Sequence, residues 1–496
     1  MQKIYDFPVM TADEAADHIC NGATVGFSGF TAAGAAKLLP GAIARKAIRE
    51  RQKGSDFKIR VFTGASTGPY FDDVMADARA MSFRAPYQSS GKLRKQINAQ
   101  EVEFVDMHLS HVAQHVYEGF YGGIDVAVVE ATEVTGDGRV YLTTSIGASP
   151  TYLKHADKVF IELNRHHHPR LREMIDVLDL PPRPHRRPLP IYAPMTKIGW
   201  PYAAVDPAKV IGVVETDLED GVKGFSDPDA VHEAIAGHVV EFVLHELKAG
   251  RIPKEFLPFQ SGVGNVANAV ISGLGNHPGI PPFYMYSEVY QDALIELMEN
   301  GKLLGASTCS LTVTDTCLQR IYGNLDFFIP KIVMRPQEIS NNPGVIRNLG
   351  VISLNTALEV DIYGNVNSTH VHGTQMMNGI GGSGDFTRNA YLSFFTSPST
   401  AKDGDISTIV PMVSHMDHNE HSVQVVVTEQ GLADLRGLGP MQRAKVIIEK
   451  CAYPDYRPYL MDYLKDTSGG HISHNLKRAF ELHCNFQETG SMRQRR

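Results

Sequence analysis

Apolar residues gather in short runs separated by polar turns, and longer amphipathic stretches alternate with them along the chain. Runs at residues 58–63, 103–107, 126–130, 158–163 and 210–215 predict strands, as do 350–354, 406–413 and 422–428 in the second half. Several are continuous β-branched runs, the pattern of strands buried on both faces. Residues 228–249 predict a helix, with Val231, Ile235, Val239, Val243 and Leu244 spaced for one face, and residues 440–451 predict another. Both have proline near the start, where its missing N–H costs nothing. Strands interleaved with helices predict an α/β fold layered around mostly parallel sheets.

The pattern also repeats. Residues 126–140, VAVVEATEVTGDGRV, and residues 351–366, VISLNTALEVDIYGNV, each run from an apolar stretch through Ala-x-Glu-Val to a turn ending in Gly-x-Val. A glycine-rich segment follows each, SIGAS at 145–149 and GIGGS at 379–383, and then another strand candidate. Two similar α/β halves are therefore expected. The polar, aperiodic stretch 215–229 marks the junction, which gives domains of 1–222 and 223–496. Within the first half, PPRPHRRPLP at 181–190 reads as a proline-rich loop, and the terminal SMRQRR reads as a solvated end.

Composition narrows the function classes. The 496 residues allow about two to four domains. Hydrophobic residues make up 43% and charged residues 21%, which argues for a globular chain rather than disorder. The net charge of −8 disfavours nucleic acid or an anionic membrane as partner. No apolar run approaches the roughly 18 residues of a spanning helix. The acidic N-terminal stretch does not read as an export signal, so a cytoplasmic protein is expected. Five scattered cysteines, none in C-x-x-C, argue against a disulfide scaffold or a thiolate zinc site.

Several motifs bear chemistry. Gly64-Ala65-Ser66-Thr67-Gly68 fits the G-x-S-x-G nucleophile elbow but reads better as a strand-to-helix turn whose serine caps a helix. Gly379-Ile380-Gly381-Gly382-Ser383-Gly384 contains G-x-G-x-x-G, yet polar residues precede it, against a dinucleotide site. Exposed amides in such a loop suit a phosphate or an oxyanion. His415, His418 and His421 lie at spacings of three, matching no metal motif, and His166–His168 read as a surface loop, so no metal is expected. The segment 261–270, SGVGNVANAV, is a glycine turn entering a small-residue helix, which suits either close approach of a ligand to the backbone or close packing of helix on sheet. Tyr286-Ser287-Glu288-Val289 delivers a carboxylate at a strand end, entering a helical pattern of Val289, Ala293, Leu294, Leu297 and Met298, where a lone Glu usually serves as an N-terminal helix charge. Glu429 likewise follows the apolar run VQVVV. Open α/β sheets bind ligands at such carboxyl ends.

Taken together, SGVGNVANAV, YSEV, RPQEISNNPGVIRNLG, DIYGNVNSTH, MMNGIGGSGDF, SPSTAKDG and VTEQGLADLRGL resemble the acetyl-CoA hydrolase/transferase family of class I CoA-transferases. The resemblance extends to GFSGFTAAG near the N-terminus and covers nearly the whole chain. It implies two similar open α/β domains with the active site in the cleft between them, the nucleophile on the C-terminal one, and a homodimer. Glu288 matches the family nucleophile that becomes a glutamyl-CoA thioester. Val263 and Gly382 match residues whose main-chain amides form the oxyanion hole, and Asn341 matches one that orients the reacting carbonyl. Gly262, Val263, Gly264, Asn265, Val266, Leu358, Asn378, Gly382 and Lys402 match CoA-contacting positions. Ser66 and Glu429 match residues lining a carboxylate pocket.

The activity so implied is CoA transfer between short-chain carboxylic acids, succinyl-CoA with acetate or propionate, by a ping-pong mechanism. Coenzyme A and acyl-CoA enter as substrates, and no permanently bound cofactor is expected. Hydrolysis of acetyl-CoA at the same site is the alternative, since water reaching the thioester would make a hydrolase. A non-catalytic CoA-binding protein is the other alternative, although mere binding would not need a nucleophile.

Overall fold

The computed structural model describes residues 7–224, 227–467 and 469–493. The chain divides into two compact units, Met1–Gly224 with Tyr284–Leu349, and Phe225–Phe283 with Gly350–Arg496.

In the first unit, parallel strands Glu103–Phe104, Met81–Ala85, Ile59–Phe62, Thr24–Phe27 and Ile124–Val134 lie side by side in that order. Ala156–Asn164 and Val210–Thr216 extend the parallel array beyond Ile124–Val134. The long strand Ile124–Val134 also pairs antiparallel with Arg139–Leu142 at its far end. Its continuous apolar run is buried on both faces, as predicted, and Val25, Val61, Val126, Val128 and Phe160 pack against helix Leu39–Gln52 in one core cluster. A second array in this unit runs Ile332–Met334, Leu303–Thr308 and Phe283–Tyr286.

In the second unit, Phe259–Ser261, Ile352–Thr356, Leu392–Thr396 and Val425–Thr428 are neighbouring parallel strands, and Gly431–Asp434 closes the edge as an antiparallel hairpin. Helix Ala230–Lys248 starts where the carboxylate of Asp229 accepts the amides of Val231 and His232, and it buries Ile235, Val239 and Val243. Helix Pro440–Cys451 has the predicted bounds.

The internal repeat has a structural counterpart in each unit. Ala131-x-Glu133-Val134 leads into the Val134↔Val140 pairing, and Ala357-x-Glu359-Val360 leads into Val360↔Val366. The next central strand is then Ala156–Asn164 in one unit and Leu392–Thr396 in the other.

Several expectations about the fold need correction. The two compact units are not the simple halves 1–222 and 223–496, because Tyr284–Leu349 returns to the first unit and takes Glu288 with it. The reason is packing. Val289 and Cys309 share an apolar cluster with Phe30, Ala65 and Leu109. The buried Arg335 pairs with Asp176 and donates to the carbonyls of Pro194 and Thr196. Residues 406–413 form two short strands, because Ile406 pairs with Ala401 while Ile409 pairs with Val360. Val289 is not helical; Val289–Tyr290 pairs with Ser310–Leu311, and the helix begins at Ala293. At the C-terminus, Met492 is buried and its amide donates to Asp405, so it is docked rather than solvated, while Arg493 is exposed; 494–496 lie outside the described residues.

A buried ionic cluster organises the first unit. The Lys37 ammonium lies 2.5 Å from Glu130 and 3.0 Å from Asp220, with all three side chains almost wholly out of solvent. Burial works to lower the Lys37 pKa, but the two carboxylates outweigh it and hold the ammonium charged. Glu162 accepts the amides of Lys37 and Leu39 at 2.7 Å each, supplying the anion that a helix N-terminus favours.

Candidate active site

Glu288 sits in the bend between strands Phe283–Tyr286 and Val289–Tyr290. Its main-chain carbonyl accepts three hydrogen bonds, from the amides of Cys309 (2.8 Å) and Ser310 (3.2 Å) and from the Thr308 hydroxyl (2.8 Å). The backbone beneath the carboxylate is thereby pinned, which limits where the side chain can point. The carboxylate itself is half-buried, and Oε1 accepts a hydrogen bond from Asn341 Nδ2 at 2.6 Å. Such a short bond to an ionised acceptor is of the stronger class.

Asn341 is fully buried at the end of the short helix Gln337–Ser340, and its amide donates to Gln337 at 2.9 Å. That helix is anchored in turn. The Gln337 amide donates to Gly147, and Gln337 Nε2 donates to Leu109. The Tyr286 hydroxyl donates to the Ile339 carbonyl at 2.9 Å, tying the Glu288 strand to the Asn341 helix. Gly64 is required here, because a Cβ at that position would lie 2.5 Å from the Gly29 carbonyl and 3.0 Å from Gln337 Oε1. Cys309 is buried beside this site, and burial pushes its thiol pKa far up, which leaves it inert as a nucleophile.

Ser66 lies in the adjoining turn, and its neighbour Ala65 packs in the same apolar cluster as Val289. The expected capping role is not seen. Asp72 accepts the Thr67 amide and pairs with the buried Arg84, so the aspartate and arginine hold the turn.

The remaining expected site residues belong to the second unit. Gly262 and Val263 follow strand Phe259–Ser261, Leu358 follows Ile352–Thr356 and Glu429 follows Val425–Thr428, at the carboxyl ends of parallel strands, whereas Lys402 lies in the turn of the antiparallel hairpin Thr400–Ala401 and Ile406–Ser407. Gly264 precedes helix Asn265–Asn276 with φ +125°, a conformation that favours glycine. A Cβ on Gly262 or Gly264 would meet nothing within 4 Å, so space beside the turn is open, and Val263 is 45% exposed. Asn265 and Val266 form the first turn of that helix, whose orphan amides suit an anion. In the second glycine loop, Asn378 Oδ1 accepts the Gly379 amide at 2.9 Å and Gly382 is the residue before helix Ser383–Thr387.

Lys402 is exposed in a turn at φ +48°, with its ammonium 4.7 Å from the centre of the Phe486 ring. Glu429 accepts from the Ser399 amide at 2.7 Å, from the Ser399 hydroxyl and from Gln430. Burial pushes its pKa up, but the Ser399 and Gln430 hydrogen bonds outweigh that and hold it below the usual range. Its carboxylate thus fastens the 397–399 segment that leads to Lys402. Ser399 lies within the SPSTAKDG motif, but its contact with Glu429 was not legible there, because the partner is 30 residues away.

The histidine motifs do other work. His418 is buried with Nε2 3.1 Å from the Ser383 hydroxyl, whereas the His421 side chain is 83% exposed, so the two do not converge. His167 is buried rather than part of a surface loop and approaches two carboxylates, Glu130 and Asp220, but the Lys37 ammonium already occupies the cation position between them.

The N-terminal domain description of the acetyl-CoA hydrolase/transferase family matches residues 1–215, and its C-terminal domain description matches residues 318–464. A propanoyl-CoA:succinate CoA transferase of Escherichia coli is 55% identical over 97% of this chain and 98% of its own length. A succinyl-CoA:acetate CoA-transferase of Clostridium kluyveri is 46% identical over 98% of this chain and 90% of its own. Among solved structures, RipA from Yersinia pestis has the same fold, with a TM-score of 0.70 at 22% identity over 92% of this chain and 97% of that one. With both domain descriptions matched and relatives aligned over almost its full length, the chain belongs to the acetyl-CoA hydrolase/transferase family.

Proposed function

We propose that the protein is a CoA-transferase that exchanges CoA between short-chain carboxylic acids through a glutamyl-CoA thioester on Glu288. The observation that carries this reading is the Glu288 carboxylate itself, fixed from below by three donors to its carbonyl and from the side by Asn341 at 2.6 Å. A carboxylate is a weak nucleophile, so its effectiveness depends on position.

Glu288 attacks the acyl-CoA carbonyl and expels CoA thiolate, leaving a mixed anhydride. The thiolate attacks the glutamyl carbonyl and releases the first acid as its carboxylate. The second acid then attacks the glutamyl thioester, replacing its carbon–sulfur bond and freeing CoA thiolate, and the thiolate attacks the acyl carbonyl of the new anhydride, forming the product thioester and returning Glu288 as its carboxylate. Each attack passes through a tetrahedral oxyanion. The amides of Val263 and Gly382 are the donors assigned to it; removing one such donor costs about 2.7–4 kcal/mol in a well-studied hydrolase. The first turn of helix Asn265–Asn276, with Gly262 and Gly264 leaving open space beside it, and the exposed Lys402 are suited to CoA phosphates and its chain. Leu358 and Asn378 complete the CoA-contacting set, and Ser66 and Glu429 shape the acid end. Succinate with acetate or propionate is the substrate set favoured by the two bacterial relatives. A cytoplasmic homodimer without a resident cofactor belongs to the same proposal.

The test is an initial-rate panel of acyl-CoA donors against succinate, acetate, propionate and water, with mass analysis after borohydride quenching. Turnover with acids and a reducible adduct on Glu288, both lost in Glu288→Ala, are expected. Turnover with water alone would assign hydrolysis instead, and a Glu288→Ala variant with undiminished turnover would remove the nucleophile.

A further inference from the structure

A threonine is held in a backbone conformation that β-branched residues avoid. Thr31, in the loop after strand Thr24–Phe27, has φ +60°. A left-handed β-branched residue is a steric outlier, and such outliers cluster at functional sites. Glycine would adopt this conformation without that clash, as Gly29 and Gly34 do on either side at φ +120° and +60°. A hydroxyl is what glycine would lack.

That hydroxyl belongs to a chain of three. Thr31 Oγ1 lies 2.7 Å from Thr312 Oγ1, which lies 2.9 Å from Ser310 Oγ. Thr31 also donates to the Phe30 carbonyl. One proton arrangement satisfies every member: Ser310 donates to Thr312, Thr312 donates to Thr31, and Thr31 donates to Phe30. At the other end, the Ser310 amide donates to the Glu288 carbonyl at 3.2 Å, and Ser310 is paired in register with Val289. Phe30 and Val289 meet in the same apolar cluster. The hydroxyl chain therefore links the 28–34 loop to the backbone that carries the carboxylate.

We propose that Thr31 and Thr312 are positioning residues for Glu288, their hydroxyl pair fixing the strand segment from which the nucleophile projects. The proposal rests on the reading of Glu288 as nucleophile, and the experiment separates the two. Single-turnover formation of the borohydride-reducible glutamyl adduct is followed in the wild type, Glu288→Gln, Thr312→Val, Thr312→Ser and Thr31→Gly, with KM for acyl-CoA and thermal midpoints. Absence of the adduct in the wild type would defeat the nucleophile reading itself. With the adduct present, Thr312→Val is expected to slow its formation roughly tenfold or more with KM within about twofold, and Thr312→Ser to restore most of the rate. Thr31→Gly, which keeps the backbone conformation and removes only the side chain, is expected to slow the adduct similarly without lowering the midpoint. A Thr312→Val or Thr31→Gly enzyme forming the adduct at the wild-type rate, or a Thr312→Ser enzyme as slow as Thr312→Val, would overturn the proposal.

Discussion

Replacing Asn341 by aspartate changes one donor into an acceptor without changing the shape of the side chain. The Nδ2 atom that donates to Glu288 Oε1 at 2.6 Å becomes a carboxylate oxygen facing a carboxylate oxygen. Asn341 is fully buried at a helix end tied to Gln337, so it has little freedom to swing away. If the two groups relax to about 4 Å, their repulsion at an effective dielectric near 20 is about 4 kcal/mol. Glu288 escapes that repulsion by turning away from the introduced carboxylate, which takes it out of its attacking position, and the expected loss is about 100-fold or more near pH 8. Lowering the pH adds a proton to the pair. Once protonated, the introduced carboxyl group donates to Glu288 as the amide did, so the ratio of variant to wild-type activity is expected to rise as pH falls from about 8 to about 6. The assay is adduct formation under single turnover at each pH, normalised to wild type. A variant-to-wild-type ratio that stays flat or falls with falling pH would refute the claim that Asn341 acts as a donor to the Glu288 carboxylate.

Lys37→Met leaves Glu130 and Asp220 buried without their cation and is expected to cost about 3–5 kcal/mol of stability by denaturant unfolding. Because the raised Lys37 pKa contributes fully at all pH values below its unfolded value, and the depressed Asp220 pKa contributes above its own, the wild-type terms are constant from about pH 5 to 8. The penalty in the variant should therefore shrink towards pH 5, as its uncompensated carboxylates take up protons; a constant penalty would argue against the cluster. Ser399→Ala removes one of two Ser399 contacts to Glu429 and should raise KM for acyl-CoA severalfold with a smaller change in kcat, which a kcat loss at unchanged KM would contradict. Exhaustive chelation should leave activity and thermal midpoint unchanged, since Lys37 holds the cation position beside His167; loss restored by added zinc would reverse that view.

Much of the site was legible because its parts are local. Gly264 announces a turn into a helix, and the chain does adopt a left-handed conformation there. The apolar runs ending in Glu288 and Glu429 read as strand ends, and both residues lie at strand ends. The parts that were not legible depend on partners distant in sequence. Ser399 gains its role from Glu429, and Thr31 meets Thr312 across 281 positions, with nothing in either local pattern to announce the pairing.

The alternation of strands and helices, the internal repeat and the placing of Glu288 and Glu429 at strand ends were determined by the sequence, because hydrophobic period and turn residues act over a few neighbours. Only the tertiary structure decided that Tyr284–Leu349 packs with the first unit, that Asn341 donates to Glu288, and that Lys37 bridges Glu130 and Asp220. Those outcomes rest on close packing and on matching each buried polar group to a partner, conditions set by residues far apart along the chain.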